Sequence, residues 1–204
     1  MTLSRNIVKL IMESAASLTA YHGTNAKFKQ FEQSKSRIPN DYYGGGVAYF
    51  TVNKSVAITY AQSMVRKYKG QVYIYEVNLK MKNVFDVDHK FTGKELTKFF
   101  SDKEAEDFAR GASLLKGGSD KYTVLGKLKS GDLSLTGDEV FKGLSRGMVN
   151  TAKARQKLIE LGYDGLRYNG GKNMQMATEH DVYLAYDAGD IQIKKIYTSA
   201  PKVS

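Results

Sequence analysis

Two patterns in this chain have the residue types and spacing to do chemistry. One is Tyr21-His22-Gly23-Thr24; the other is a pair of tyrosines eleven positions apart, Tyr49 and Tyr60. The tyrosines sit in Gly46-Val47-Ala48-Tyr49-Phe50-Thr51 and Val56-Ala57-Ile58-Thr59-Tyr60-Ala61. Two phenol rings can hold a flat, amide-bearing heterocycle between them, and an imidazole can bond a hydroxyl of the attached sugar. Each residue also has a structural reading. A histidine in a short strand can be a satisfied core residue, and Tyr60 lies on an apolar helical face where tyrosines commonly pack inward.

The elements that must position these groups follow from hydrophobic period and turn chemistry. Thr19 to His22 reads as a short strand left through a Gly23-Thr24-Asn25 turn. Residues 33–46 are polar and end in Gly44-Gly45-Gly46, which reads as a loop over a site. Val47 to Thr51 is a second strand. Asn53 then caps a helix from about Lys54 to Tyr68, with Val56, Ala57, Tyr60, Ala61 and Met64 on one face and Gly70 ending it. Gln71 to Leu79 is the clearest strand, apolar on both faces and therefore central. Residues 86–150, rich in Gly, Lys and Asp, read as a helical insertion with helical patches at 94–100 and 103–115. A helix over 151–161 stops at Gly162 and is followed by a turn and strand over 163–168. Further strands are expected at 181–186 and 191–197. Short strands with helices scattered between them predict an α+β fold built on a mainly antiparallel split sheet.

The chain has 204 residues, 42% of them hydrophobic, which suits a single domain with one core. We expect that domain over 18–198, after a separate segment at 1–17 and before a tail at 199–204. With no cysteine there are neither disulfides nor thiolate metal sites, and three scattered histidines argue against zinc. No apolar run approaches the length of a membrane span. The net charge of +10 favours acidic partners, either a protein surface or nucleic acid. Leu3, Ile7, Leu10 and Ile11, with Arg5 and Lys9 beside them, read as a basic surface helix; Lys9 and Glu13 interrupt any secretory signal. Ile11-Met12-Glu13 resembles the Leu/Ile-x-Glu site cut by a phage head-maturation protease, although Leu158-Ile159-Glu160 matches it too.

With these segments placed, the chain resembles the ADP-ribosyltransferase superfamily. The likeness is to the His-Tyr-Glu branch of diphtheria-type toxins and poly(ADP-ribose) polymerases, in its small phage and mobile-element form. It rests on Tyr21-His22-Gly23-Thr24, on Tyr49-Phe50-Thr51 with Val56-Ala57 and Tyr60-Ala61, on Gly162-Tyr163-Asp164-Gly165, and on Tyr183 to Asp187 with Ile191. The resemblance implies split antiparallel β-sheets with flanking helices and NAD as substrate. It places His22 on the adenosine-side ribose hydroxyl, backbone groups of Gly23 on the carboxamide, Thr24 among the NAD-binding residues, and Tyr49 and Tyr60 on either side of the nicotinamide ring. The family glutamate, four residues before Tyr186, falls on Val182 here. Asp181 lies one residue away, within reach of a β-bulge, and Glu179 is two before that on the same strand face. Three outcomes stay open: Asp181 or Glu179 supplies the carboxylate, the enzyme lacks it and transfers one ADP-ribose only, or the fold is inactive. The implied function is mono-ADP-ribosylation of an acidic host protein by a phage-encoded effector in the host cytoplasm, with packaging in the virion left open. The alternatives are an inactive, basic DNA-binding head protein and, last, an RNA 2′-phosphotransferase, for which the surrounding arginines are missing.

Overall fold

The strand Val72-Tyr73-Ile74-Tyr75-Glu76-Val77-Asn78-Leu79 buries Val72 and Ile74 on one face and Tyr75, Val77 and Leu79 on the other, so it is packed on both faces. It occupies the middle of the longest ladders in the computed structural model, which describes residues 17–32, 43–99, 105–110, 121–145, 148–173 and 179–199. In chain order the strands are β1 (Leu18–Thr24), β2 (Ala48–Thr51), β3 (Val72–Leu79), β4 (Val84–Asp86), β5 (Lys90–Thr92), β6 (Ser134–Thr136), β7 (Gly165–Asn169), β8 (Asp181–Ala185) and β9 (Ile191–Ser199). Seven of them form one sheet in the order β4-β7-β8-β2-β1-β3-β9, and β5 pairs with β6 apart from it. Every pair in the large sheet is antiparallel except β4 with β7. The fold is α+β, as the sequence pattern implies.

The sheet is split in its middle. β1 pairs with β3 over all seven of its residues but with β2 only at Tyr21↔Thr51. Beyond that pair the two strands part. Because side chains alternate along a strand, the register assigns the faces. Tyr21, Gly23, Tyr49, Thr51, Val182 and Leu184 share a first face, while His22, Phe50, Tyr75, Arg167 and Asp181 share the second.

Helix α1 (Lys54–Tyr68) has the bounds read from the sequence. The Asn53 side chain accepts the Ser55 N–H at 3.0 Å, satisfying an end donor, and Ala57 and Ala61 are its buried residues. Those alanines let α1 lie directly on β1: a Cβ at Gly23 would sit 1.9 Å from the Ala57 carbonyl oxygen and 3.1 Å from the Ala61 nitrogen. Glycine at position 23 is therefore a packing requirement. Helices α2 (Lys121–Ser130), α3 (Gly137–Leu144) and α4 (Thr151–Glu160) cover the other half of the same face. Thr136 and Glu139 form a reciprocal capping box at the start of α3.

Phe91, Leu96, Phe108, Leu128 and Phe141, within the stretch read as an insertion, join one cluster with Phe85, Leu158, Leu166 and Leu184. β5 and β6 within this stretch, and β4 at its head, are short strands that the sequence pattern does not predict, because runs of three residues carry almost no period. The helical patch at 94–100 is a short turn, Gly93–Leu96, continued by a 3-10 turn, Thr97–Phe99; of the patch at 103–115, residues 105–110 are helical. The expected N-terminal helix and cleavage tripeptide at 11–13, and most of the loop expected at 33–46, lie outside the described residues.

Gly162-Tyr163-Asp164-Gly165 ties the chain back to the sheet. Gly162 follows α4 with φ of 84°, a left-handed value suited to glycine. Asp164 then accepts the backbone N–H groups of Lys82 at 2.7 Å and Asn83 at 2.9 Å. A Cβ at Gly165 would approach the Leu184 carbonyl oxygen to 2.5 Å.

Replacing Gly23 by alanine should lower unfolding free energy by at least about 2 kcal/mol, since the clash is with helix backbone. Gly126→Ala, inside α2 with nothing near its Cβ position, should leave stability unchanged or raise it by up to ~1 kcal/mol. Denaturant titration of both variants checks this.

Candidate active site

His22 projects from β1 onto the second face, into a cage of aromatic rings. The centroids of Phe31, Phe50, Phe28 and Tyr75 lie 5.4, 5.7, 6.3 and 6.4 Å from its own. Burial among these rings disfavours the imidazolium and lowers the His22 pKa to about 4, so the ring is neutral at pH 7. Nδ1 lies 2.8 Å from the backbone oxygen of Tyr49. A carbonyl can only accept, so Nδ1 carries the proton and Nε2 keeps a lone pair for a donor such as a ribose hydroxyl.

The same bond ties β1 to β2 where the backbone ladder has lapsed. On the first face at this seam stand Gly23 and Tyr49. The half-buried Tyr49 ring meets Tyr168 nearly edge-on, with centroids 6.4 Å apart, and Tyr168 in turn packs 5.1 Å from Tyr43. Tyr60 lies on α1 between Ala57 and Ala61, the residues that meet Gly23, and it is 39% exposed. It is therefore a surface phenol beside the seam and not part of the core. Thr24 closes β1, its hydroxyl accepting the Ala26 N–H at 3.3 Å.

The carboxylates lie elsewhere. Val182 pairs with Thr51 and shares the face of Tyr49. The β7–β8 register runs through Asp181 without a shift, so Asp181 points to the second face. There it accepts from Arg167 Nη2 at 3.0 Å, while Arg167 Nη1 donates to Asp86. Glu179 accepts from the Asn169 side chain at 3.2 Å. His22, Gly23 and Tyr49 thus meet at one seam, with Tyr60 exposed on the helix that packs against Gly23, whereas Asp181 and Glu179 stand with Arg167 and Asn169 at the β7–β8 end. Among the described residues, no group of three or more histidines or acids is placed to hold a metal ion. No helix there is long and apolar enough to cross a membrane.

The sequence reading passed over three neighbours of the site. Tyr168 backs Tyr49, and its signal was the alternation Leu166-Arg167-Tyr168. Arg167, the other phase of that alternation, engages Asp181. His180 is 7% exposed, and a Cβ at Gly170 would meet its Nε2 and Val182 Cγ2, each at 2.6 Å. A histidine next to a candidate acid in a chain with three histidines was a signal available in the sequence.

A split sheet with His-Gly on one parted strand and a tyrosine on the other is the arrangement that the resemblance to the ADP-ribosyltransferases implies. The chain belongs to the family described as ADP-ribosyltransferase in polyvalent proteins, which it matches over residues 14–203. A search of curated proteins found no match. Among solved structures, the chain is similar to one in the crystal structure of the M.tuberculosis MbcT-MbcA toxin-antitoxin complex, at 11% identity and a TM-score of 0.43, covering 91% of this chain and 85% of that one. It is also similar to an anti-CRISPR protein, at 12% identity and a TM-score of 0.33, covering 91% and 97%.

A histidine whose pKa is about 4 when folded and 6.5 when unfolded binds its proton more readily in the unfolded chain. Its contribution to stability is present above pH 6.5 and is lost as pH falls towards 4, by no more than about 3 kcal/mol. Denaturant unfolding at pH 7 and pH 4.5 should show this loss in the native protein, and His22→Asn should flatten it.

Proposed function

We propose that this protein transfers a single ADP-ribose unit from NAD to an acceptor, with His22, Gly23, Tyr49 and Tyr60 forming the NAD site. The observation that carries the reading is the meeting of His22, Gly23 and Tyr49 where β1 and β2 part, with α1, the helix that bears Tyr60, packed directly on Gly23. In the reaction the bond between the nicotinamide nitrogen and ribose C1′ breaks, and its electron pair neutralises the departing pyridinium ring. C1′ becomes oxocarbenium-like, an acceptor nucleophile bonds to it, and the nucleophile's proton passes to solvent or a base.

The site residues contribute orientation more than covalent chemistry. The two phenol rings hold nicotinamide in place, and stacking of a base on an aromatic is worth roughly 1–3 kcal/mol. Neutral His22 accepts a hydrogen bond at Nε2 from a hydroxyl of the adenosine-side ribose, anchoring the other half of the dinucleotide. Val182 on the Tyr49 face supports single transfer, because extending a chain calls for a base to deprotonate the next ribose hydroxyl. Asp181, held by Arg167 on the far face, acts as a structural ion pair in this reading.

The reading extends to a phage-encoded effector acting on an acidic host protein in the host cytoplasm, supported by the +10 charge and the cleavage-like tripeptide at 11–13. A second reading, an inactive DNA-binding protein, is favoured by the basic and aromatic edge at β9. There Lys54 Nζ lies 3.3 Å, and Lys195 Nζ 4.8 Å, from the centre of the Tyr197 ring.

Incubating the protein with labelled NAD and host lysate should label discrete protein bands. Tyr49→Ala and Tyr60→Ala should each reduce labelling about 5- to 150-fold, the range that corresponds to one lost stacking contact. Asp181→Asn should stay within about threefold of the native rate. Folded protein that neither labels a band nor hydrolyses NAD, yet binds DNA with steep salt dependence, would establish the second reading instead.

A further inference from the structure

His22 and Tyr75 are cross-strand partners on β1 and β3, with both side chains on the second face. Tyr75 is fully buried and its hydroxyl makes two bonds to a single residue of the loop after β1. It accepts the Phe28 N–H at 2.6 Å and donates to the Phe28 carbonyl at 3.0 Å. The two rings also stack, 4.2 Å apart and within 6° of parallel. Phe28 is therefore gripped by backbone and by ring at once. Three residues on, Phe31 is 8% exposed and meets Phe28, Phe50, Tyr75 and His22. The segment 28–31 forms a lid whose fastening is one phenol.

We infer that Tyr75 is a positioning residue for His22: by clamping Phe28 it closes the aromatic lid that holds the imidazole against the Tyr49 carbonyl. This rests on the NAD-site reading for its functional consequence, though not for its structural content. Without the clamp, Phe28 and Phe31 can swing out, water reaches the ring, and the imidazole is free to rotate away from Tyr49. Among the described residues, the groups around His22 leave no competing electrostatic cause. β3 contributes Tyr75, a neutral phenol whose own pKa burial raises further. β2 contributes Phe50 and the Tyr49 carbonyl, and the lid contributes Phe28 and Phe31, while Lys27 and Lys29 on the lid segment are exposed. Solvent exclusion by the lid sets the protonation state of His22.

The test is Tyr75→Phe, which keeps the ring and removes the clamp, with Phe28→Leu as a second variant at a half-buried loop position. Imidazole resonances of His22, assigned with His22→Asn, are titrated by NMR without NAD. The native ring should titrate near pH 4, and both variants should move that midpoint up by a unit or more towards 6.5. With NAD, the variants should raise KM at least fivefold, most steeply below pH 6, and leave kcat within about threefold. A midpoint unchanged in Phe28→Leu, or in a folded Tyr75→Phe, overturns the inference. If the midpoint moves but native protein shows no NAD turnover, the positioning role stands and the transferase reading fails.

Discussion

One hydrogen bond, from His22 Nδ1 to the Tyr49 carbonyl, holds together two strands that the backbone ladder has let go. A sheet can open a cleft in its middle only where neighbouring strands stop exchanging N–H and C=O bonds, and each exposed group then needs another partner. Here a side chain supplies one. The same bond fixes which imidazole nitrogen has the proton, so the structural tie and the lone pair offered to a sugar hydroxyl are a single feature. That arrangement depends on a neutral ring, hence on excluding water from the second face.

The first face meets a matching constraint. Nicotinamide recognition of the proposed kind needs a helix close enough to β1 to bring Tyr60 beside Tyr49, and helix-to-strand contact at backbone distance needs side chains removed on both elements. Gly23 against Ala57 and Ala61 meets that condition. Two successive residues, His22 and Gly23, thus serve opposite faces: one fills an aromatic cage, the other admits a helix. The adjacency of His and Gly reflects strand alternation as much as chemistry.

The long elements were legible because each carries a strong period or an explicit end signal. Asn53 and Gly70 bracket α1 at the bounds found, and the apolar run 72–79 forms β3. The short strands β4, β5 and β6 were not legible, since pairing and not local pattern decides three-residue strands. In the candidate site, His22, Tyr49 and Tyr60 could be picked out by type and spacing. The direction of the carboxylates could not. Counting from Tyr186 finds Val182, but only the unbroken β7–β8 register places Asp181 on the far face. Its ion partner Arg167 comes from a strand 14 positions earlier, a pairing no local pattern encodes.

Asp164 bonds to Lys82 and Asn83 across more than 80 positions of chain, and Asn83 reaches back to the Gly162 carbonyl. The stretch between β3 and β7 is therefore closed at its two ends by one clasp, beside which β4 and β7 pair. Lengthening such an excursion costs little closure entropy once its ends are pinned. Longer loops inside it are cheap, whereas the stretch itself is not interchangeable, because Phe85, Phe91 and Phe141 fill the cluster against which Tyr49 rests.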